Sequence, residues 1–319
     1  MINKTKNTEL EQNKTGGHEN FNQVCCCPIC DSKNYKQWLV CDDGQILKRC
    51  IDCEIGYLAP YPTQIENLYQ DYGDHITKLP SKYFENRLKI GLKKSIVFSL
   101  IKKTLGNEIN LLDYGGGAGF FMSAAQKSGI QNSYLFEPSK NFRRTAIEKV
   151  GIDENFVTED LSKLKVKFKF VSMLDVIEHL PQDKIHILLK ELTSQMEPGG
   201  YLFGETPSRL SLNLRMFGTK DPVICPPSHL LYFTKKSLDK LLQEHGFEKK
   251  ILFTIGVSTN SFFRKSRFEP SFVEQPKSLV QKLFSYCIKI LFKFFGLLAA
   301  LTGTGYQIIF LYQFKNKNR

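Results

Sequence analysis

Three groups of residues in this 319-residue chain have the types and spacing to do chemistry. The first is Cys27-Pro28-Ile29-Cys30 with Cys50-Ile51-Asp52-Cys53, two Cys-x-x-Cys pairs separated by residues 31–49. Four thiolates at that spacing read as a closed tetrahedral zinc shell with no position left for water, hence a structural metal. Cys25, Cys26 and Cys41 are spare, and the first two crowd Cys27, so which sulfur supplies the first ligand stays open. The second group is a turn, Asp113-Tyr114-Gly115-Gly116-Gly117-Ala118-Gly119. Gly115, Gly117 and Gly119 let the backbone bend sharply and approach a ligand where a Cβ would collide. The third group handles protons: Glu178-His179, and His229 within Pro226-Pro227-Ser228-His229. An imidazole titrates near neutrality, so it can take the proton of a nucleophile as that nucleophile attacks.

These groups need elements to position them. The apolar run Asn110 to Leu112 closes on Asp113, and after the glycines Met122 to Lys127 reads as a helix. Strand, turn and helix in that order make the ligand corner of a doubly wound sheet. The dinucleotide fingerprint needs a further glycine where this chain has Phe120, which argues against a phosphate-cradling NAD site. Ser133 to Phe136 is a second strand, ending on Glu137, an acid placed to hold two ribose hydroxyls. Strands are predicted over 109–114, 133–137, 155–158, 168–174, 200–206, 251–257 and 306–314, with helices between the first five. A helical stretch from Tyr83 to Leu105 leads in, and Thr234 caps a helix over Lys235 to His245 that Gly246 ends.

The glycine turn, the strand ending in Glu137 and the run Lys167 to Pro181 (KFKFVSMLDVIEHLP) together resemble the class I S-adenosylmethionine-dependent methyltransferases. The specific likeness is to the bacterial branch with a cysteine-rich N-terminal module, and it covers residues 25–256 plus the last strand. It implies an α/β fold: a Rossmann-like, seven-stranded doubly wound sheet with its last strand antiparallel, carrying a small zinc ribbon. It further implies S-adenosylmethionine held by Asp113, Gly115, Gly117, Gly119, Glu137 and Asp175, with Glu159 or Asp160 on the adenine amino group. Either His179 or His229 would be the base, and Glu178 would orient the histidine or bind a metal. The lead-in helices would cover the cofactor, with Tyr69 and Tyr72 as lid residues. One departure is Lys169, where the fourth strand of these enzymes usually has Asp after its Phe. The implied acceptor is small or lipid-linked, foremost a sugar or sugar nucleotide. A ribosomal RNA methyltransferase and a non-catalytic membrane-associated binding protein are the alternatives.

The formal charge of +12 would suggest a polyanion partner if it were spread over the catalytic region. Residues 249–319 hold twelve basic residues against two acids, so the basicity is C-terminal and nucleic acid is not the expected partner. Met1 to Asn20 is polar and lacks the apolar core of a signal peptide, which predicts the cytoplasm. The expected divisions are a disordered tail (1–22), a ribbon (23–62), the catalytic domain (63–256), a basic helical insertion (257–303) and a last strand (304–319). Within the insertion, Leu279 to Leu301 puts Lys282, Lys289 and Lys293 on one helical face, suited to peripheral contact with an anionic membrane. Phe294 to Phe314 is uncharged and long enough to span a bilayer, but Thr302-Gly303-Thr304-Gly305 predicts a helix, a turn and a strand instead.

Overall fold

A computed structural model describes residues 21–22, 24–62, 76–93, 95–258 and 293–315. The N-terminal module has strands β1 (Phe21–Asn22), β2 (Tyr35–Val40), β3 (Ile46–Cys50), β4 (Gly56–Leu58) and β5 (Tyr61–Pro62). β1 pairs with β5, so the last two residues of the stretch expected to be disordered are ordered as a strand. Two helices follow, α1 (Ser81–Lys93) and α2 (Ser95–Leu105), where the periodicity suggests one. Phe84 and Phe98 are both buried and lie fourteen residues apart, nearly in phase on a helix, so the pattern runs through the break. They nevertheless serve different cores: Phe84 packs with Ile76 and Ala118, Phe98 with Ile109 and Leu111.

The catalytic region is β6 (Leu111–Tyr114), α3 (Phe120–Lys127), β7 (Ser133–Phe136), α4 (Lys140–Thr145), β8 (Val157–Thr158), β9 (Phe168–Leu174), α5 (Ile185–Gln195) and β10 (Met196–Pro207). After it come α6 (Leu212–Phe217), β11 (Leu231–Tyr232), α7 (Lys235–Glu244), β12 (Phe247–Ile255) and β13 (Gln307–Phe314). Seven strands form one sheet in the order β12-β13-β10-β9-β6-β7-β8, with β13 antiparallel to both its neighbours. β6 is buried along its whole length, as a parallel strand between two helical layers should be. β12 instead carries exposed lysines at the sheet edge, which discourages further strand pairing. The order reverses between β6 and β9, so ligands belong at the carboxyl ends of those strands. α7 is capped as expected: Thr234 accepts from the Ser237 backbone, and Ser237 returns the bond.

The ribbon is not a separate body. Its sheet runs β11-β4-β3-β2, and its fourth strand is Leu231–Tyr232, contributed by the segment that follows the proline pair. Cys27, Ile29, Leu47 and Tyr57 share one buried cluster with Val171, Leu202 and Leu238 of the catalytic region.

Residues 293–301 are helical and Gly303 turns the chain into β13, as the Thr-Gly repeat predicts. Lys282, Lys289, Tyr69 and Tyr72 lie outside the described residues. Among the described residues no helix is long and apolar enough to cross a membrane.

Candidate functional site

The glycine turn leaves β6 with φ values of +65° at Gly115, +58° at Gly117 and +72° at Gly119. Two acids lie beneath it. Asp113 is 1% exposed and accepts a 2.8 Å bond from the Ser172 hydroxyl on the neighbouring strand. Gly116 has to be glycine because a Cβ there would stand 2.3 Å from Asp113 Oδ2. Glu137, at the end of β7, accepts from the backbone N–H of Gly117 at 2.9 Å and of Ser139 at 2.8 Å. Burial pushes its carboxyl pKa up, against the pull of those two donors and of Arg143. The acid thus ties the glycine turn to the start of α4. α1 covers the turn: Ile76 and Phe84 pack on Ala118, and the rings of Phe84 and Phe120 are 6.3 Å apart. A backbone held in the left-handed region over two buried acids, beneath an aromatic cover, fits a nucleoside with an attached sulfonium.

Glu159 and Asp160 are already engaged. Glu159 is half exposed and forms ion pairs with Arg143 and Lys163. Asp160 caps the short turn after it, accepting from the Ser162 backbone at 2.9 Å and hydroxyl at 2.7 Å, which lowers its pKa. Asp175 follows β9 with φ +53°, a strained value for a residue with a side chain. It is held by Gln307, whose amide donates to Oδ1 at 3.0 Å, and by its own N–H on the Glu205 carbonyl.

The proton-handling group assembles just beyond. Val176 packs against Gly115, where a Cβ would come within 2.9 Å, so the turn after β9 touches the glycine turn directly. That turn, Ile177–His179, places Glu178 inward at 1% exposure, where it accepts from the Thr206 hydroxyl at 2.9 Å. His179 and His229 meet edge to face with ring centroids 4.6 Å apart. His179 Nδ1 lies 2.7 Å from the Ser228 carbonyl and His229 Nδ1 2.8 Å from the Val223 carbonyl. A carbonyl only accepts, so each neutral ring carries its proton on Nδ1 and its lone pair on Nε2. A carboxylate oxygen of Glu178 and a nitrogen from each ring all lie within 4.8 Å of one another, close enough to share one ion. The sequence names both histidines as rivals; the fold makes them neighbours. Thr206 and Ser172, which fix the two buried acids, are missed by sequence reading. Their only signal is a hydroxyl in an otherwise apolar strand.

The four ribbon cysteines also converge. Cys27 and Cys53 sulfurs are 3.4 Å apart and those of Cys30 and Cys50 3.7 Å, near the roughly 3.8 Å between thiolates sharing a tetrahedral zinc. Cys27 is the sulfur that faces the other three, while Cys25 and Cys26 pair with each other outside. The hydrogen bond from the Cys27 thiol pulls the Cys53 pKa down to about 6.

A family model described as a methyltransferase domain matches residues 75–250, more than half of the chain. The chain belongs to that family. It is a class I S-adenosylmethionine-dependent methyltransferase. Solved structures similar to this methyltransferase include an S-adenosylmethionine-dependent methyltransferase from Archaeoglobus fulgidus, at 18% identity over 69% of this chain and 94% of that one (TM-score 0.42). A possible histamine N-methyltransferase from Thermotoga maritima shows 16% identity over 79% and 100% (TM-score 0.47). Magnesium protoporphyrin IX methyltransferase from Synechocystis shows 15% over 78% and 100% (TM-score 0.47). No curated protein matches the chain closely enough to count as a relative.

Proposed function

We propose that this methyltransferase acts on a small or lipid-linked acceptor whose nucleophile sheds a proton as it attacks, foremost a hydroxyl of a sugar or sugar nucleotide. The observation that carries the reading is the histidine pair beside the glycine turn, each ring with Nδ1 on a carbonyl. When bound, S-adenosylmethionine would supply a methyl group on a sulfonium, and the acceptor would attack that carbon in line as the S–CH3 bond breaks and the thioether leaves. Gly117 gives the backbone approach, with Gly115 and Gly119 shaping the turn against Val176 and Ile152, Glu137 the ribose acceptor, and Asp113 and Asp175 the acids around it. His179 is the less buried of the two rings, so we assign it the acceptor's proton, received at Nε2. His229 packs against it and holds its orientation, while the buried Glu178 carboxylate favours the imidazolium that forms. The four ribbon thiolates hold a structural zinc that keeps β11, and with it His229, in place.

The sugar class rests on the resemblance. A lipid-linked form is supported by residues 293–301, which expose Phe294, Leu297, Leu298 and Leu301. The test is transfer of labelled methyl from S-adenosylmethionine to a panel of sugar nucleotides and undecaprenyl-linked sugars. Label in a sugar product supports the reading. Label in ribosomal RNA and in none of the sugars would overturn it.

A further inference from the structure

Arg209 lies just past β10, where the ribbon meets the catalytic region, and is only 6% exposed. Its backbone N–H donates to the Phe233 carbonyl and its Nε to the Glu54 carbonyl, both at 2.8 Å. Its guanidinium stands 5.3 Å over the Trp38 ring. Among the described residues its two terminal nitrogens find no acceptor. Arg209 lines a half-open pocket of about 150 Å3 together with Trp38, Leu39, Leu210, Leu214 and Arg215. The nearest acid, Glu54, is already paired with Lys236 at 3.3 Å. Arg49 and Arg215 add like charge nearby, against Glu54 and Cys53, which favour the cation, and Arg49 Nε is itself buried with no partner. A buried cation normally has a hydrogen-bonded counter-charge, because burying it alone is unfavourable. Burial and the neighbouring Arg49 pull the Arg209 pKa down to about 10, which leaves it charged at neutral pH.

We propose that Arg209, Arg215 and Trp38 form an anion subsite that takes a phosphoryl group. A guanidinium fork matches phosphate oxygens two at a time. The cavity is below the roughly 300 Å3 of whole-ligand pockets, so it holds a phosphoryl end rather than an entire nucleotide. It is also linked to the proton-handling pair through rings: Trp38 meets Tyr232 at 5.5 Å, and Tyr232 meets His229 at 6.3 Å. The inference stands apart from the acceptor reading, because anion binding is measured without methyl transfer.

Trp38 is the single tryptophan of the chain and lines the cavity, so it reports directly. The full-length, zinc-loaded protein is titrated with inorganic phosphate, pyrophosphate and uridine diphosphate at constant ionic strength, and Trp38 fluorescence is followed. A saturable change is expected, weakened tenfold or more in Arg209→Gln and at least threefold in Arg215→Gln, whose exposed position spares the fold. Uridine diphosphate binding ten times tighter than phosphate assigns the group to the acceptor, and equal affinity assigns it to an inorganic effector. The proposal is overturned if no anion changes the fluorescence, if chloride does so equally, or if both variants bind as the unaltered protein does. It is equally overturned if Arg209→Gln only lowers the melting point and releases zinc while the unaltered protein binds no anion, which would make Arg209 a ribbon staple.

Discussion

Gly117 and Gly119 are two residues apart in one turn, share the left-handed backbone, and should separate cofactor binding from stability. A methyl group on Gly119 would lie 2.3 Å from Ile152 Cδ1 and 3.3 Å from Leu135, inside the small core that also holds Met122 and Ala146. Gly119→Ala therefore carries the left-handed backbone penalty, roughly 1–2 kcal/mol, plus roughly 1–3 kcal/mol of overpacking. A methyl group on Gly117 meets nothing closer than Phe142 at 3.7 Å, ordinary contact. Its stability cost is the backbone share alone, a melting-point drop of roughly 2–8 °C for a domain of this size. On the proposed reading that open side is where the cofactor approaches the backbone, beside the N–H that Gly117 donates to Glu137. Gly117→Ala is expected to weaken S-adenosylhomocysteine about 100-fold, near 2.7 kcal/mol, while Gly119→Ala loses more stability and less than about tenfold in affinity. Thermal unfolding and isothermal titration on the same samples read both quantities. Unchanged binding by a folded Gly117→Ala protein would refute the placement of the cofactor against this turn.

Replacing His179 with Ala is expected to lower kcat about 10²- to 10⁴-fold with S-adenosylhomocysteine affinity intact, whereas His229→Ala should lower it less; the reverse order would move the proton to His229. About one zinc per chain is expected by metal analysis, and chelation should lower the melting point and shift Trp38 emission as β2 to β4 and β11 come apart; a metal-free protein with the same melt would remove the structural zinc. Burial alone would raise the Asp239 carboxyl, but hydrogen bonds from Lys249, Tyr312 and Gln243 outweigh it and hold its pKa low. A depressed pKa means stability present above the unfolded value and lost as pH falls through the folded one. Asp239→Asn should thus cost about 1 kcal/mol at pH 7 in urea unfolding, with the gap closing in acid; a gap constant with pH would contradict this.

What the sequence reveals here is local. The glycine turn, the acids at the ends of β6 and β7, the two cysteine pairs and the Thr234 cap are each set within a dozen residues, and each stands where periodicity and spacing put it. What it hides is non-local. His179 and His229 are fifty residues apart in the chain and touch only because Leu230 N–H bonds the Glu178 carbonyl and Gln182 bonds the carbonyls of both Leu58 and Leu230. The ribbon's fourth strand comes from Leu231–Tyr232, two residues too short to carry any alternation. Arg209 carries no signal in the sequence, since Trp38, which its guanidinium overlies, comes from the far end of the chain. Glu159 reads as an available acid because its partner Arg143 lies sixteen residues earlier on α4.

The most direct test of the cofactor site is isothermal titration of the zinc-loaded protein with S-adenosylhomocysteine, beside Glu137→Ala. Glu137 spends one oxygen on each of two backbone donors and has lone pairs left for the ribose. Two charge-assisted bonds of about 1.5–3 kcal/mol each make a 100-fold loss the minimum expected. Micromolar binding that falls at least that far in the variant is the predicted result. Equal binding by both proteins, or none by a folded and zinc-loaded one, would contradict it.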